Sequence, residues 1–355
     1  MMEELRLKLL CQGMRIDPSS GVGKGRTAGA GPLGQFIIIG ARGINVPTSG
    51  EAENSPFLLV REGEKLKIKT EQQEIEINLP ECAKYYSQTT SDGIPMKMIA
   101  LRHGKDVLAS TVYQKCLNWT AGKACKFCAI EISIQKSITT LLKKPAQLAE
   151  VAKAAWENRD AVHATLTTGV PNYEDRGAKL LGEAANAIKK SVPEMKVHVQ
   201  LTPPSNFAYF DYLAESGVDT IGLHLESADF EVLSKICPAK AELGIEHFYR
   251  AIKYCIDIFG DNQVSSFLIA GLGEQPRSIY GACERLSQMG AVSYIVPFRP
   301  LADTPLSQWK MPSYEYMREV YVECGSIMKQ YGIKPQRNKA GCVRCGGCSL
   351  VQDYV

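Results

Sequence analysis

From residue 106 to about 297, short apolar runs alternate with segments of helical periodicity, the pattern of parallel β/α units. It predicts strands over 107–112, 162–167, 196–201, 220–225, 264–270 and 293–297. Between them, 145–157, 178–190, 245–258 and 278–289 carry the helical spacing. Earlier residues follow a different rhythm. A helix over 3–11 precedes alternating segments at 36–39, 57–60, 65–69 and 74–79. Turn-like Glu62-Gly63-Glu64 and Glu71-Gln72-Gln73 separate the last three, so a small antiparallel β unit is expected. That unit either shields the mouth of the β/α domain or binds a partner. The expected division is 1–98, mostly β; 99–312, the β/α domain; and 313–355, a C-terminal helix with a Cys-rich tail.

Composition narrows the function classes. The 355 residues are 45% hydrophobic, enough for a sizeable core, and carry a net charge of +3. Near-neutral charge gives no reason to expect nucleic acid or an anionic membrane as partner. Apolar runs such as 36–40 and 267–272 fall far short of the ~20 residues that span a bilayer, and Glu3 and Glu4 argue against a signal peptide. A cytoplasmic protein is the expectation, in which twelve Cys serve as metal ligands and reduced buried thiols. Gly21 to Gly31 is glycine-rich but lacks a phosphate-loop pattern and a preceding strand, so it reads as a surface loop.

The chemistry-bearing stretch follows the first β/α strand. Cys116, Cys125 and Cys128 stand at C-x8-C-x2-C spacing, with no fourth Cys or His nearby. Thiolates hold iron–sulfur clusters, and three leave one metal position open to a small molecule. Phe127 directly precedes the last Cys, and the loop follows the first strand of a β/α series. In these features the chain resembles the radical S-adenosylmethionine (SAM) superfamily, although the usual spacing there is C-x3-C-x2-C. The resemblance implies an open (β/α)6 TIM-like partial barrel. It also implies a 4Fe-4S cluster whose fourth iron chelates SAM, which one electron cleaves to methionine and a 5′-deoxyadenosyl radical.

Ligands of such folds sit at the C-terminal strand ends. There the resemblance assigns Thr168 and Gly169 to the SAM amino group and Glu226 to the ribose. Gln200 faces the SAM carboxylate or the substrate, and Gly271 and Gly273 lie against adenine. Plain turns and a solvated glutamate are the alternatives. Pro297-Phe-Arg299-Pro300 with Asp303-Thr-Pro-Leu306 resembles a biotin synthase-like segment, which puts Arg299 at the barrel mouth as a catalytic candidate.

A second triad ends the chain: Cys342, Cys345 and Cys348, at x2 and x2 spacing among glycines. A closed zinc site wants four N or S ligands, and only three are local. An auxiliary 4Fe-4S cluster is therefore expected, its fourth ligand being Ser349, another Cys or the substrate. Cys82, Cys237, Cys255, Cys283 and Cys324 read as buried packing thiols. If the tail folds over the barrel mouth, both clusters face one cavity.

Two clusters in a biotin synthase-like barrel imply sulfur insertion into an unactivated C–H bond. Asp92-Gly-Ile-Pro95, 99–104, Cys128-Ala-Ile-Glu131, 145–150, 270–273 and the tail resemble radical SAM proteins encoded beside nitrilases. The same group includes the two-protein lipoyl synthases. The resemblance thus implies an octanoylated lipoyl-carrier protein as substrate, a second radical SAM protein as partner and a ferredoxin-like electron donor. The alternatives are an enzyme acting on a small nitrogenous metabolite and a non-enzymatic electron-transfer or zinc-binding scaffold.

Overall fold

The computed structural model describes residues 2–25 and 34–355, so the glycine-rich segment leaves the described residues after Gly25. In chain order the N-terminal strands are β1 (Arg15–Ile16), β2 (Gln35–Ile39), β3 (Arg42–Val46), β4 (Leu58–Glu62), β5 (Lys65–Lys69) and β6 (Glu74–Ile77). The later strands are β7 (Leu101–His103), β8 (Val107–Thr111), β9 (His163–Thr167), β10 (Lys196–Gln200), β11 (Thr220–Gly222), β12 (Val264–Ala270) and β13 (Val292–Pro297).

Strands β8 to β13 are all parallel and lie side by side in chain order, curling into a half-barrel. The expected partial TIM-like barrel is therefore present. Sequence periodicity missed β7, an antiparallel edge strand pairing with β8, because three residues are too few to show alternation. The fourth expected strand stops at Gly222; Glu226, at φ +69°, turns the chain and rejoins the sheet only through a bridge to Leu268.

Helices cover the outer face. The helix Ile245–Phe259 buries Phe248, Ile252, Cys255 and Ile256 at three- and four-residue spacing. Each such side chain, fully withdrawn from water, contributes roughly 1.5–3 kcal/mol of transfer free energy. Pro145 and Pro276 start two of the helices, where a missing N–H costs nothing.

The N-terminal unit contains the expected antiparallel meander β4-β5-β6, whose first turn is the two-residue loop Gly63-Glu64. Strands β2 and β3 form a hairpin that is bridged to Asn78, just after β6, through Ile38. Asn45 N–H donates to the Gly347 carbonyl at 2.7 Å, and Arg299 Nη2 donates to the Asn45 carbonyl at 2.6 Å. The helix Met2–Gln12 packs against the helix Tyr314–Gln330, and Arg6 pairs with Asp353 at 3.1 Å.

The tail does not cover the mouth. It crosses the opposite, N-terminal ends of the strands. Asn338 Nδ2 donates to the Asn262 carbonyl at 2.6 Å, Gln263 Nε2 to the Arg337 carbonyl at 3.0 Å, and Gly341 N–H to His163 Nδ1 at 3.1 Å. Sequence gave no hint of this destination, because its partners lie 74 to 178 positions away. Gly341 is required there: φ is +86°, and a Cβ would lie 2.4 Å from the His198 ring. No helix among the described residues is long and apolar enough to cross a membrane.

One buried lysine makes stability pH-dependent. Lys143 is 1% exposed, its ammonium donates to the Thr140 carbonyl at 2.7 Å, and burial pulls its pKa down to about 7. An unfolded lysine keeps its proton to about 10.4. Between these values the unfolded chain binds more protons, so stability rises as pH rises from about 7 to about 10. The urea midpoint of the natural chain minus that of Lys143→Met should climb across that window; a difference that does not change with pH contradicts the assignment.

Candidate active site between two thiol triads

The first triad sits on the loop leaving the C-terminal end of β8. Backbone bonds lace this loop to the segment after β9: Gly169 N–H donates to the Tyr113 carbonyl at 2.9 Å, and Leu117 N–H to the Val170 carbonyl at 2.9 Å. A Cβ on Gly169 would lie 2.0 Å from the Lys115 carbonyl oxygen. Gly169 is thus a residue of close backbone approach that seats Cys116. Gly169→Ala is expected to displace Cys116 and lower iron retained after anaerobic reconstitution several-fold; unchanged iron would show that the loop tolerates the shift.

Other contacts fix the rest of the loop. Cys116 N–H donates to Glu131 Oε1 at 3.0 Å, Lys126 N–H to the Ile236 carbonyl at 2.9 Å, and Cys128 N–H to the Cys125 carbonyl at 3.0 Å. Burial pushes the Cys128 thiol up to about 12 and raises Cys116. Cys125 moves the other way, held below the usual thiol range by the S–H of Cys237 against burial. Sequence identified Cys237 as a buried packing thiol. Its burial is as expected, but its place beside a cluster thiol carried no signal. Cys82, by contrast, is exposed rather than buried.

Glu226 Oε1 accepts from Lys240 Nζ at 2.7 Å, and the same ammonium donates to the His224 carbonyl at 2.6 Å. Burial pushes the Glu226 carboxyl up, and Lys240 pulls it back. Burial also opposes the charge on Lys240, yet Glu226, with Cys125 and Cys237, holds its ammonium above the usual lysine range. The carboxylate expected at the ribose is therefore half of a desolvated ion pair. Lys240 escaped the sequence reading because a lone lysine on a short helix forms no motif.

The second triad lies at the far end of the lumen. Gln200 Nε2 donates to Cys342 Sγ at 3.3 Å, and Cys348 N–H donates to the Tyr294 hydroxyl at 3.3 Å. Burial raises the Cys345 thiol far above the ordinary range. Gln200 therefore reaches this end of the lumen. Arg299 follows the C-terminal end of β13, and its side chain turns inward, buried against Asn45 of the hairpin and beside Cys348, where burial works against its charge. Ser349 is fully buried, with its hydroxyl accepting from Val351 N–H at 3.2 Å.

One cavity of about 330 Å³ joins the two ends. Of the residues singled out by sequence, Phe127, Cys128, Gln200, Glu226, Arg299, Cys342, Cys345 and Cys348 line it. Cys116, Cys125, Thr168, Gly169, Gly271, Gly273 and Ser349 are outside this lining. Gly271 and Leu272 N–H groups donate instead to the Glu274 carboxylate at 2.7 and 2.8 Å, while Gly271 abuts Pro312. Apolar walls come from Ile99, Val107, Phe267, Ile269, Val296 and Phe298. Four buried polar atoms on lining residues lack a partner: Gln114 Oε1, Ser133 Oγ, Thr165 Oγ1 and His224 Nε2. Such groups are costly to bury unpaired, so the cavity suits a ligand that supplies partners.

The donor sets fit iron–sulfur clusters. Thiolate is the cluster ligand, and each set has three. Among the described residues, no three His, Cys, Asp or Glu side chains converge as the ligands of a single metal ion do. The Cys116–Cys128 loop would hold the SAM-binding cluster.

Comparison with known proteins bears on the family and the fold. Residues 122–286 match the family model of the radical SAM superfamily. The bacteriochlorophyllide c C-7(1)-hydroxylase of Chlorobaculum limnaeum is 22% identical over 273 residues, covering 71% of this chain and 67% of its own. The crystal structure of a methylornithine synthase superposes with a TM-score of 0.50 at 14% identity, over 70% of this chain and 71% of that one, and shows the same fold. A radical SAM methyltransferase from Sphaerobacter thermophilus gives 0.47 at 15% identity, over 81% and 76%. The family match supports a radical SAM enzyme, and with it SAM and a 4Fe-4S cluster as cofactors.

Proposed function

We propose that this radical SAM enzyme holds a second 4Fe-4S cluster on Cys342, Cys345 and Cys348 and inserts sulfur into an unactivated C–H bond. The reading extends to one component of a two-protein lipoyl synthase acting on an octanoyl-lysine arm. The observation that carries it is the single cavity lined by Cys128 at one end and by the tail triad at the other. When bound, the first cluster with SAM supplies the hydrogen-abstracting radical, and the second supplies sulfide.

The chain's own residues prepare the path. Phe267, Ile269, Val296 and Phe298 offer an acyl chain a dry wall, and Phe127 screens the cluster loop. Glu226, positioned by Lys240, presents a carboxylate to the ribose end of SAM. Lys97, Met98, Ile138 and Thr139 are among the lining residues, and the exposed apolar side chains of Ile138, Leu141 and Leu142 nearby suit the seating of a carrier protein. A second radical SAM protein and a ferredoxin-like donor complete the proposed partners.

Under anaerobic turnover with an octanoylated carrier, the carrier should gain the mass of sulfur while the tail cluster bleaches. An unmodified carrier with both clusters intact rejects this reading. A second reading, action on a small nitrogenous metabolite, is favoured by the unpartnered Gln114, Ser133, Thr165 and His224 atoms, which an alkyl chain leaves unsatisfied. It predicts turnover without loss of sulfide.

A further inference from the structure

The tail triad offers three thiols, and a four-iron cluster has one more metal position to fill. Ser349 is turned toward its own backbone turn and lies outside the cavity lining. Cys11, another buried thiol, is also outside that lining. Arg299 stands beside Cys348, but a guanidinium has no lone pair to give and its Nη2 is engaged with Asn45. Asp106, near Cys345, faces His163 Nε2 at 3.5 Å and Arg344 at 4.0 Å. One further metal-binding side chain stands among the cavity's lining residues at this end: His103.

His103 ends β7, paired with Val107 at the base of β8, so the hairpin fixes its place at the bottom of the lumen. Its Nε2 lies 3.9 Å from Cys348 Sγ. The next residue is pressed against the same triad: Gly104 has φ +64°, and a Cβ there would lie 2.5 Å from Cys345 Sγ. Two neighbouring residues of one hairpin thus touch two of the three tail thiols, which is a cradle rather than a chance approach. Imidazole nitrogen is a competent ligand of iron in iron–sulfur clusters.

We propose that His103 is the fourth protein ligand of the tail cluster. The proposal rests on reading the tail as a cluster site. Replacing a thiolate by a neutral imidazole leaves that cluster one negative charge poorer, which raises its potential. It also leaves one iron held by an arm more easily displaced than a thiolate.

The test uses a chain in which Cys116, Cys125 and Cys128 are all alanine, so that only the tail can hold a cluster. After anaerobic reconstitution and reduction it should bind about four irons. Pulsed EPR should show the strong coupling of a directly bound nitrogen, altered by isotopically labelled histidine and lost in His103→Ala. His103→Cys should keep the iron, lose the nitrogen coupling and lower the potential. Iron bound with no such coupling, or with coupling that survives His103→Ala, overturns the ligand assignment and leaves the tail cluster standing. No iron bound at all overturns the tail cluster itself. Should the triple variant fail to fold, the same comparison of natural chain and His103→Cys, with both clusters present and SAM withheld, decides the ligand.

Discussion

Replacing Cys125 and Cys128 by alanine is expected to remove about four of some eight irons per chain and to abolish formation of 5′-deoxyadenosine. The geometry makes the effect large. Cys128 lines the cavity, and Cys125 is tied to it through the Cys128 N–H bond and lies beside the buried Cys237 and the Lys240–Glu226 pair. A loop with only Cys116 left has neither the ligands to hold a cubane nor the charge to offset it. Iron and sulfide analysis with product detection checks this; undiminished SAM cleavage would remove the first triad from the mechanism.

Replacing Cys342, Cys345 and Cys348 by alanine should separate the two ends of the lumen. Iron falls by about half, SAM is still cleaved, and product formation on the substrate drops to background. The same variant should unfold at lower temperature than the natural chain when both are reconstituted. A bound tail cluster would add its binding energy to the fold, joining the tail to the barrel floor, and that contribution goes with the thiols. Loss of SAM cleavage together with product would instead make the tail a support for the first site.

Much of the barrel was legible because its strands and helices have different periods. The runs at 264–270 and 293–297 read as strands since they are buried on both faces, and 145–157 read as a helix from its apolar spacing and its proline start. The thiols were legible as two triads from spacing alone. What surrounds them was not. Lys240 carries no motif, and His103, though inside the 99–104 run, gave no sign of its place; each reaches its site through the three-dimensional path of the chain. Gly169 looked like a cofactor-contacting glycine and proves to be spaced by the Lys115 carbonyl. Arg299 and Gln200 were placed by strand number at the mouth, whereas side-chain direction sends both toward the tail triad.

The N-terminal unit shows why partner choice escapes local patterns. Its hairpin spans 35–46, yet it bonds to Gly347 of the tail and to Arg299 after β13, contacts that exist only once the tail is in place. The sequence offered a mouth cover or a partner surface. Neither reading included the floor of the barrel.

On the proposed function, substrate lies in one lumen between two clusters and takes sulfur from the tail. Reconstitution with heavy-isotope sulfide, followed by one anaerobic turnover on an octanoylated carrier in unlabelled buffer, tests it most directly. The account predicts the heavy isotope in the carrier and a matching loss from the protein. Turnover of SAM with no isotope transferred would contradict it.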